Sequence, residues 1–109
     1  MTITEKILAA HCGKKKISPG EFINAMVDFA LGNDVTAPFA IDELKKARIK
    51  KVFNREKIAL VPDHFSPNKD VASAQQCKKL AEFAKAYNIK YYFEQGRAGI
   101  EHVLLPEAG

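Results

Sequence analysis

The sequence has too few cysteines, too few long apolar runs and too little concentrated charge for several classes of protein. Cys12 and Cys77 are its only cysteines in 109 residues, which excludes a disulfide framework and a thiolate metal cage. The apolar stretches are short and interrupted, so no membrane span is predicted. Met1–Lys6 has no basic region ahead of an apolar one, so we expect no secretion signal and a cytoplasmic location.

The lysines and arginines are scattered along the chain. The net charge is +4, and most basic pairs occur where a solvated helix face or a loop is expected. A nucleic-acid footprint should be clustered and interleaved with aromatic residues. We therefore expect no nucleic-acid partner, whereas a small anionic substrate is compatible with this charge.

The alternation of helical and strand patterns predicts an α/β fold. The apolar fraction of 47% is ordinary for a soluble globular domain. Thr2 and Glu5 have the spacing of a capping box, ahead of a helix that should end near Gly13. Strands are predicted in the early part of Phe22–Leu31 and in two further segments, Ile58–Val61 and Ile89–Phe93. This order predicts three α/β/α layers around a mostly parallel sheet.

Three further helices are predicted between and after these strands. Thr36 is a natural N-cap for a helix with apolar residues on one face, which are Phe39, Ile41 and Leu44. Asp70–Asn88 is the clearest helix, with a buried stripe of Ala74, Cys77, Leu80, Ala81 and Ala84. Ile100–Leu105 should form a short helix that Pro106 ends.

Asp63 and His64 follow the buried strand Ile58–Val61 and lie between two prolines. Ligands bind at the carboxyl ends of strands in parallel sheets, and a neighbouring carboxylate can orient an imidazole for proton transfer. This pattern indicates an acid–base pair. The alternative is a loop-capping aspartate beside a surface histidine.

Two other polar loops follow predicted strands. The first, Gly32–Thr36, offers short polar side chains at a helix start, either as an anion site or as an ordinary N-cap. The second contains Arg97, which could clamp a carboxylate, and leads into the pair Glu101-His102. The alternative interpretation of this second loop is a Gly-rich turn with a glutamate at a helix start.

His11-Cys12 could in principle ligate a metal with His64 or His102. We reject this reading because Cys12 and Cys77 fall on apolar helix faces, where small buried thiols are common. No metal ligand is predicted in this chain.

Five segments resemble the aconitase family in their order and spacing, and together they span nearly the whole chain. They are Thr2–Ala9, Gly32–Pro38, Val61–Asp70, Ser73–Cys77 and Gly99–Glu107. They look most like the large subunits of the isopropylmalate dehydratase branch, and homoaconitase-type relatives share several of them. The resemblance implies that residues 1–109 are a single domain or a fragment, the N-terminal part of the aconitase large-subunit fold.

The same resemblance implies a hydro-lyase that reversibly dehydrates a hydroxy polycarboxylate. Asp63, His64 and His102 match active-site positions of the family. Asn33 matches a position where relatives use an amide near the substrate, and Asp34 and Thr36 belong to the same segment, so we expect substrate binding there.

The resemblance also implies working partners outside these residues. The family uses a 4Fe-4S cluster, whose cysteines come later in the large subunit, and a serine base on a swivelling domain, which is a small subunit in the two-chain enzymes. We therefore expect no cluster and no activity on this chain alone. A non-catalytic polycarboxylate-binding module and a domain that pairs through a sheet edge remain alternatives.

Overall fold

Helices and strands alternate along the chain in the computed structural model, which describes residues 1–65, 67–95, 97 and 99–108. The elements are α1 (Ile3–His11), β1 (Ala30–Asn33), α2 (Ala37–Lys46), β2 (Ile58–Val61), α3 (Val71–Ala86), β3 (Tyr91–Tyr92) and α4 (Glu101–Ala108). A short 3-10 helix, Arg55–Lys57, leads into β2. Within the described ranges, no helix has the length and apolarity needed to cross a membrane.

The three strands form one parallel sheet in the order β1-β2-β3. Asn33 lies opposite Val61, and Leu60 lies opposite Tyr92. The strands therefore end at the same edge, and the loops that follow them meet there. The predicted α/β class with a parallel sheet is confirmed.

β2 is the centre of the core and is buried along its whole length, as predicted. Ile58 and Leu60 pack with α2 and α3 in a cluster whose other buried members are Ile41, Leu80, Phe83, Ala84 and Ile89. Burial of each large apolar side chain stabilises the fold by roughly 1.5–3 kcal/mol. Ala59 and Val61 alternate with Ile58 and Leu60 along the strand and are also buried. β2 therefore fixes the position of the loop that follows it.

Gly32 allows β1 and α2 to approach closely. A Cβ at this position would lie 2.9 Å from both Ala37 Cβ and Leu60 Cδ2. The close approach places the start of α2 directly beside the end of β1. The polar loop between them is therefore short and held at the sheet edge.

The helix starts follow the sequence closely. Thr2 and Glu5 form the predicted capping box of α1. Asp70 caps α3 by accepting a hydrogen bond from the backbone N–H of Ser73 at 2.8 Å. Thr36 occupies the N-cap position of α2 but makes no side-chain capping bond.

The prediction of a strand early in Phe22–Leu31 is wrong. Phe22 is 100% exposed, and the strand is Ala30–Asn33 at the end of this segment. The segment before this strand contacts the end of α1, since the N–H of Met26 donates to the carbonyl of His11 at 2.8 Å. Apolar character alone does not specify which strand a segment can pair with.

Three smaller predictions also need correction. Phe39 is 68% exposed, because it lies two residues from Ile41 and so on the other side of α2. The buried stripe of α3 contains the predicted Cys77, Leu80 and Ala84 and also Ser73 and Phe83, whereas the predicted Ala74 and Ala81 are only partly buried. Pro106 lies inside α4 rather than at its end. Its missing N–H removes one helical bond without stopping the remaining residues from continuing the helix.

Candidate functional site

Asp63 and His64 form a hydrogen-bonded pair directly after β2. His64 Nδ1 lies 2.6 Å from Asp63 Oδ1. The Asp63 side chain is nearly buried, and the His64 side chain is 40% exposed. When Nδ1 donates to Asp63, Nε2 is the ring nitrogen left to exchange a proton with a ligand.

Asp34, in the loop after β1, holds the backbone of the His64 loop. The backbone N–H of His64 donates to Asp34 Oδ1 at 3.1 Å, and that of Phe65 donates to Oδ2 at 2.8 Å. Asp34 is fully buried, and the Sγ of Cys77 in α3 lies 3.6 Å from its Oδ2. A fully buried carboxylate with backbone donors on both oxygens fixes the loop conformation.

The electrostatics of the pair favour a charged imidazole. The hydrogen bond that His64 donates to Asp63 raises the pKa of His64 above its usual value; burial opposes this, and the carboxylates of Asp34 and Glu101 add to it. Burial works to raise the pKa of Asp63, but hydrogen bonds from the Glu101 N–H and from His64 outweigh it, and the pKa is lowered. His64 is therefore able to act as an acid near neutral pH.

Glu101, at the start of α4, connects the ends of β1 and β2. Its backbone N–H donates to Asp63 Oδ2 at 2.8 Å, and its Oε1 accepts from Asn33 Nδ2 at 2.9 Å. Oε1 also lies 3.4 Å from His102 Nε2. Glu101 was not predicted as a site residue, and its only signal in the sequence was its place beside His102.

Asn33 is oriented by its own loop. Its Oδ1 accepts from the backbone N–H groups of Val35 and Thr36, both at 2.9 Å, and from Thr36 Oγ1 at 3.0 Å. These three donors identify the oxygen of the amide, so Nδ2 faces Glu101. Thr36 therefore contacts Asn33 rather than capping α2.

The predicted site residues are thus partly brought together. Asn33, Asp34, Asp63 and His64 lie in one hydrogen-bonded group at the sheet edge. His102 is next to this group, and its side chain is 76% exposed. Arg97 is exposed and lies 3.5 Å from Glu94 in its own loop. The neighbouring Gly96 and Ala98, part of the predicted Gly-rich turn, lie outside the described residues. The roles assigned to these side chains remain predictions.

The group could also be considered as a metal site. Asp34, Asp63 and His64 each offer one ligand atom, and these atoms lie within 4.8 Å of one another. However, both Asp34 oxygens already accept backbone hydrogen bonds, and Asp63 Oδ1 accepts from His64. The arrangement is therefore better suited to proton transfer than to holding a cation.

The cysteines do not fit an iron–sulfur cluster. Cluster ligands are thiolates, but burial raises the pKa of the Cys77 thiol to about 11, and the Asp34 carboxylate contributes to this. The Cys77 Sγ also lies 3.4 Å from Asn68 Oδ1. The Cys12 Sγ lies 3.4 Å from the Ala9 carbonyl of its own helix. Neither thiol is placed to ligate iron.

Comparison with known proteins identifies the class. The chain is related over its whole length to the N-terminal part of aconitase-family large subunits, which confirms the resemblance found in the sequence. The relatives are 3-isopropylmalate dehydratase large subunits. All 109 residues match 26% of the protein from Thermodesulfovibrio yellowstonii at 66% identity. They match 26% of the protein from Moorella thermoacetica at 63% and 26% of large subunit 1 from Pyrococcus furiosus at 56%.

The chain thus spans about a quarter of the length of the curated relatives it matches. No protein-family model matches it.

Proposed function

We propose that this chain supplies the acid side of the active site of a 3-isopropylmalate dehydratase. This hydro-lyase isomerises 2-isopropylmalate and 3-isopropylmalate in leucine biosynthesis by dehydration and rehydration. The observation that carries the proposal is the Asp63–His64 pair, whose loop is held by the buried carboxylate of Asp34. The identity of 56–66% to relatives with this name supports the choice of reaction.

In the dehydration, His64 donates its Nε2 proton to the departing hydroxyl group. The C–O bond breaks, water leaves, and the imidazole becomes neutral. A base outside this chain takes the proton from the neighbouring carbon, and the electron pair of that C–H bond forms the double bond. Asp63 favours the charged imidazole before the step and keeps the ring oriented afterwards. Rehydration at the other carbon reverses these events.

The remaining parts of the enzyme lie outside the 109 residues. We propose that these are the rest of the large subunit with its 4Fe-4S cluster and a small subunit carrying the base, all in the cytoplasm. The length of the relatives supports the first of these partners. Asn33, Thr36 and Arg97 are proposed to bind the carboxylates of the substrate.

The test uses a full-length large subunit that carries this segment, assayed with its small subunit. His64→Ala and Asp63→Asn should each lower kcat by about 10²–10⁴. The chain offers a matched control in His11, which lies at the end of α1 and whose imidazole pairs with Asp28. His11→Ala should leave kcat unchanged. Equal turnover in the His64 and His11 variants would remove the pair from the mechanism.

Substrate choice is tested in the same assay. Turnover of isopropylmalate above homoaconitate and aconitate supports the proposal, and the reverse order supports a homoaconitase or aconitase. Calorimetric titration of the 109-residue chain with isopropylmalate tests the remaining alternative. Saturable binding that is lost in Asn33→Ala, together with a full-length protein that lacks turnover, would indicate a non-catalytic binding module.

A further inference from the structure

Glu101 is a buried carboxylate that the proposed proton transfer does not use. The residue is only 2% exposed, and ionisable side chains are rarely buried to this extent without partners. Its Oε2 is the one buried side-chain oxygen or nitrogen, among the residues the structure describes, without a hydrogen-bond partner. An unsatisfied buried polar atom destabilises the folded state. This position is therefore not chosen for stability alone.

The contacts of Glu101 reach three other site residues. Its N–H holds Asp63, its Oε1 accepts from the amide of Asn33, and the same oxygen lies 3.4 Å from His102 Nε2. Asn33 is the last residue of β1, Asp63 lies in the loop after β2, and His102 belongs to α4. Glu101 therefore links these three residues to one another.

The two side-chain contacts differ in what they do. Asn33 is already oriented through its Oδ1. One of the two N–H bonds of its Nδ2 donates to Glu101, and the other keeps the direction that the fixed amide gives it. His102 is largely exposed, and the Glu101 carboxylate is the ionic contact that the described structure provides for it. The carboxylate attracts the imidazole when the ring is protonated.

We propose that Glu101 is a positioning residue, which holds one N–H of the Asn33 amide and orients the His102 imidazole toward a polycarboxylate ligand. The proposal rests on the proposed function for the identity of the ligand. Glu101 itself does not exchange a proton with the substrate. Its removal should therefore affect the reaction through Asn33 and His102.

The contact with Asn33 is tested first on the 109-residue chain, without any activity. In NMR spectra, the side-chain N–H₂ protons of Asn33 should exchange with water more slowly in the wild type than in Glu101→Ala. Glu101→Gln keeps an acceptor oxygen and should retain part of the protection. The control is Glu43→Gln, an exposed glutamate on α2 that pairs with Lys46, and it should change nothing. Equal exchange in the wild type and Glu101→Ala would overturn the proposal.

The effect through His102 is tested in the full-length enzyme with its small subunit. Glu101→Ala should lower kcat/KM about 10- to 100-fold, the cost of misplacing a reacting group, and Glu101→Gln should recover part of the loss. In a His102→Ala background, the loss caused by Glu101→Ala should shrink, because contacting residues are energetically coupled. Additive losses would overturn the proposal, as would a lowered melting temperature with unchanged kcat/KM.

The two proposals fail differently. Unchanged turnover in His64→Ala counts against the proposed function. Unchanged Asn33 exchange, or additive Glu101 and His102 effects, counts against the role of Glu101 alone.

Discussion

Asp34 should be one of the most sensitive polar positions of the fold. In Asp34→Ala the backbone N–H groups of His64 and Phe65 lose their acceptors. A hydrogen bond to a charged group contributes about 1.5–3 kcal/mol, so the two bonds predict a loss of about 3–6 kcal/mol. Asp34→Asn keeps one acceptor oxygen and should lose about 1.5–3 kcal/mol. The free energy of unfolding of a domain is only about 5–15 kcal/mol, so Asp34→Ala should remove a large share of it.

The assay is urea unfolding of the 109-residue chain, followed by circular dichroism. Asp34→Asn should move the midpoint to lower urea with an unchanged slope. Asp42→Asn is the matched control, because the Asp42 carboxylate accepts from Lys79 on a partly exposed surface. Such a pair contributes about 0–1 kcal/mol. The reasoning is refuted if Asp34→Asn is no more destabilising than Asp42→Asn.

Three further predictions follow from single contacts. Asp63→Asn should lower the pKa of His64 toward its usual value, as measured by an NMR titration. Because the folded pKa is raised, the ion pair stabilises the fold below the unfolded pKa, and this contribution is lost as the pH rises through the folded value. The thiol of Cys77, with its pKa raised to about 11, should react with iodoacetamide at pH 8 far more slowly in the native chain than in urea. Gly32→Ala should lower the free energy of unfolding by about 1–3 kcal/mol through overpacking. Gly99→Ala should lower it by less than about 0.5 kcal/mol, because a Cβ added there has nothing within 4 Å.

Each of these has a control in the same chain. Asp28→Asn should lower the pKa of His11, which its partner Asp28 raises, and leave His64 unaffected. The thiol measurement is made in a Cys12→Ala background, so that the signal comes from the buried residue. An unchanged His64 titration in Asp63→Asn, or equal reactivity in native and unfolded chains, would contradict the corresponding contact.

The sequence predicts best where a local rule is sufficient. The capping box at Thr2 and the continuous apolar run at Ile58–Val61 each depend on a few neighbouring residues, and both were confirmed. The segment Phe22–Leu31 shows where this fails. Its apolar residues could form a strand, but pairing depends on the register with β2, which only Ala30–Asn33 achieves.

The candidate site divides in the same way. Asp63 and His64 are neighbours in sequence, so their pairing follows from local geometry. The bond between Asp34 and the His64 backbone joins residues 30 positions apart, and that between Asn33 and Glu101 joins residues 68 apart. Both depend on the parallel register of the sheet. A sequence without that register indicates only that Glu101 is a glutamate at a helix start.

The way in which Asp34 holds its neighbouring loop has a consequence for variation at the site. Its carboxylate binds main-chain N–H groups, which every residue except proline possesses. The loop can therefore keep its shape while the side chains at positions 64 and 65 are exchanged. The scaffold and the reactive group are specified by different residues, so substitutions at position 64 can alter the chemistry while the architecture is inherited unchanged.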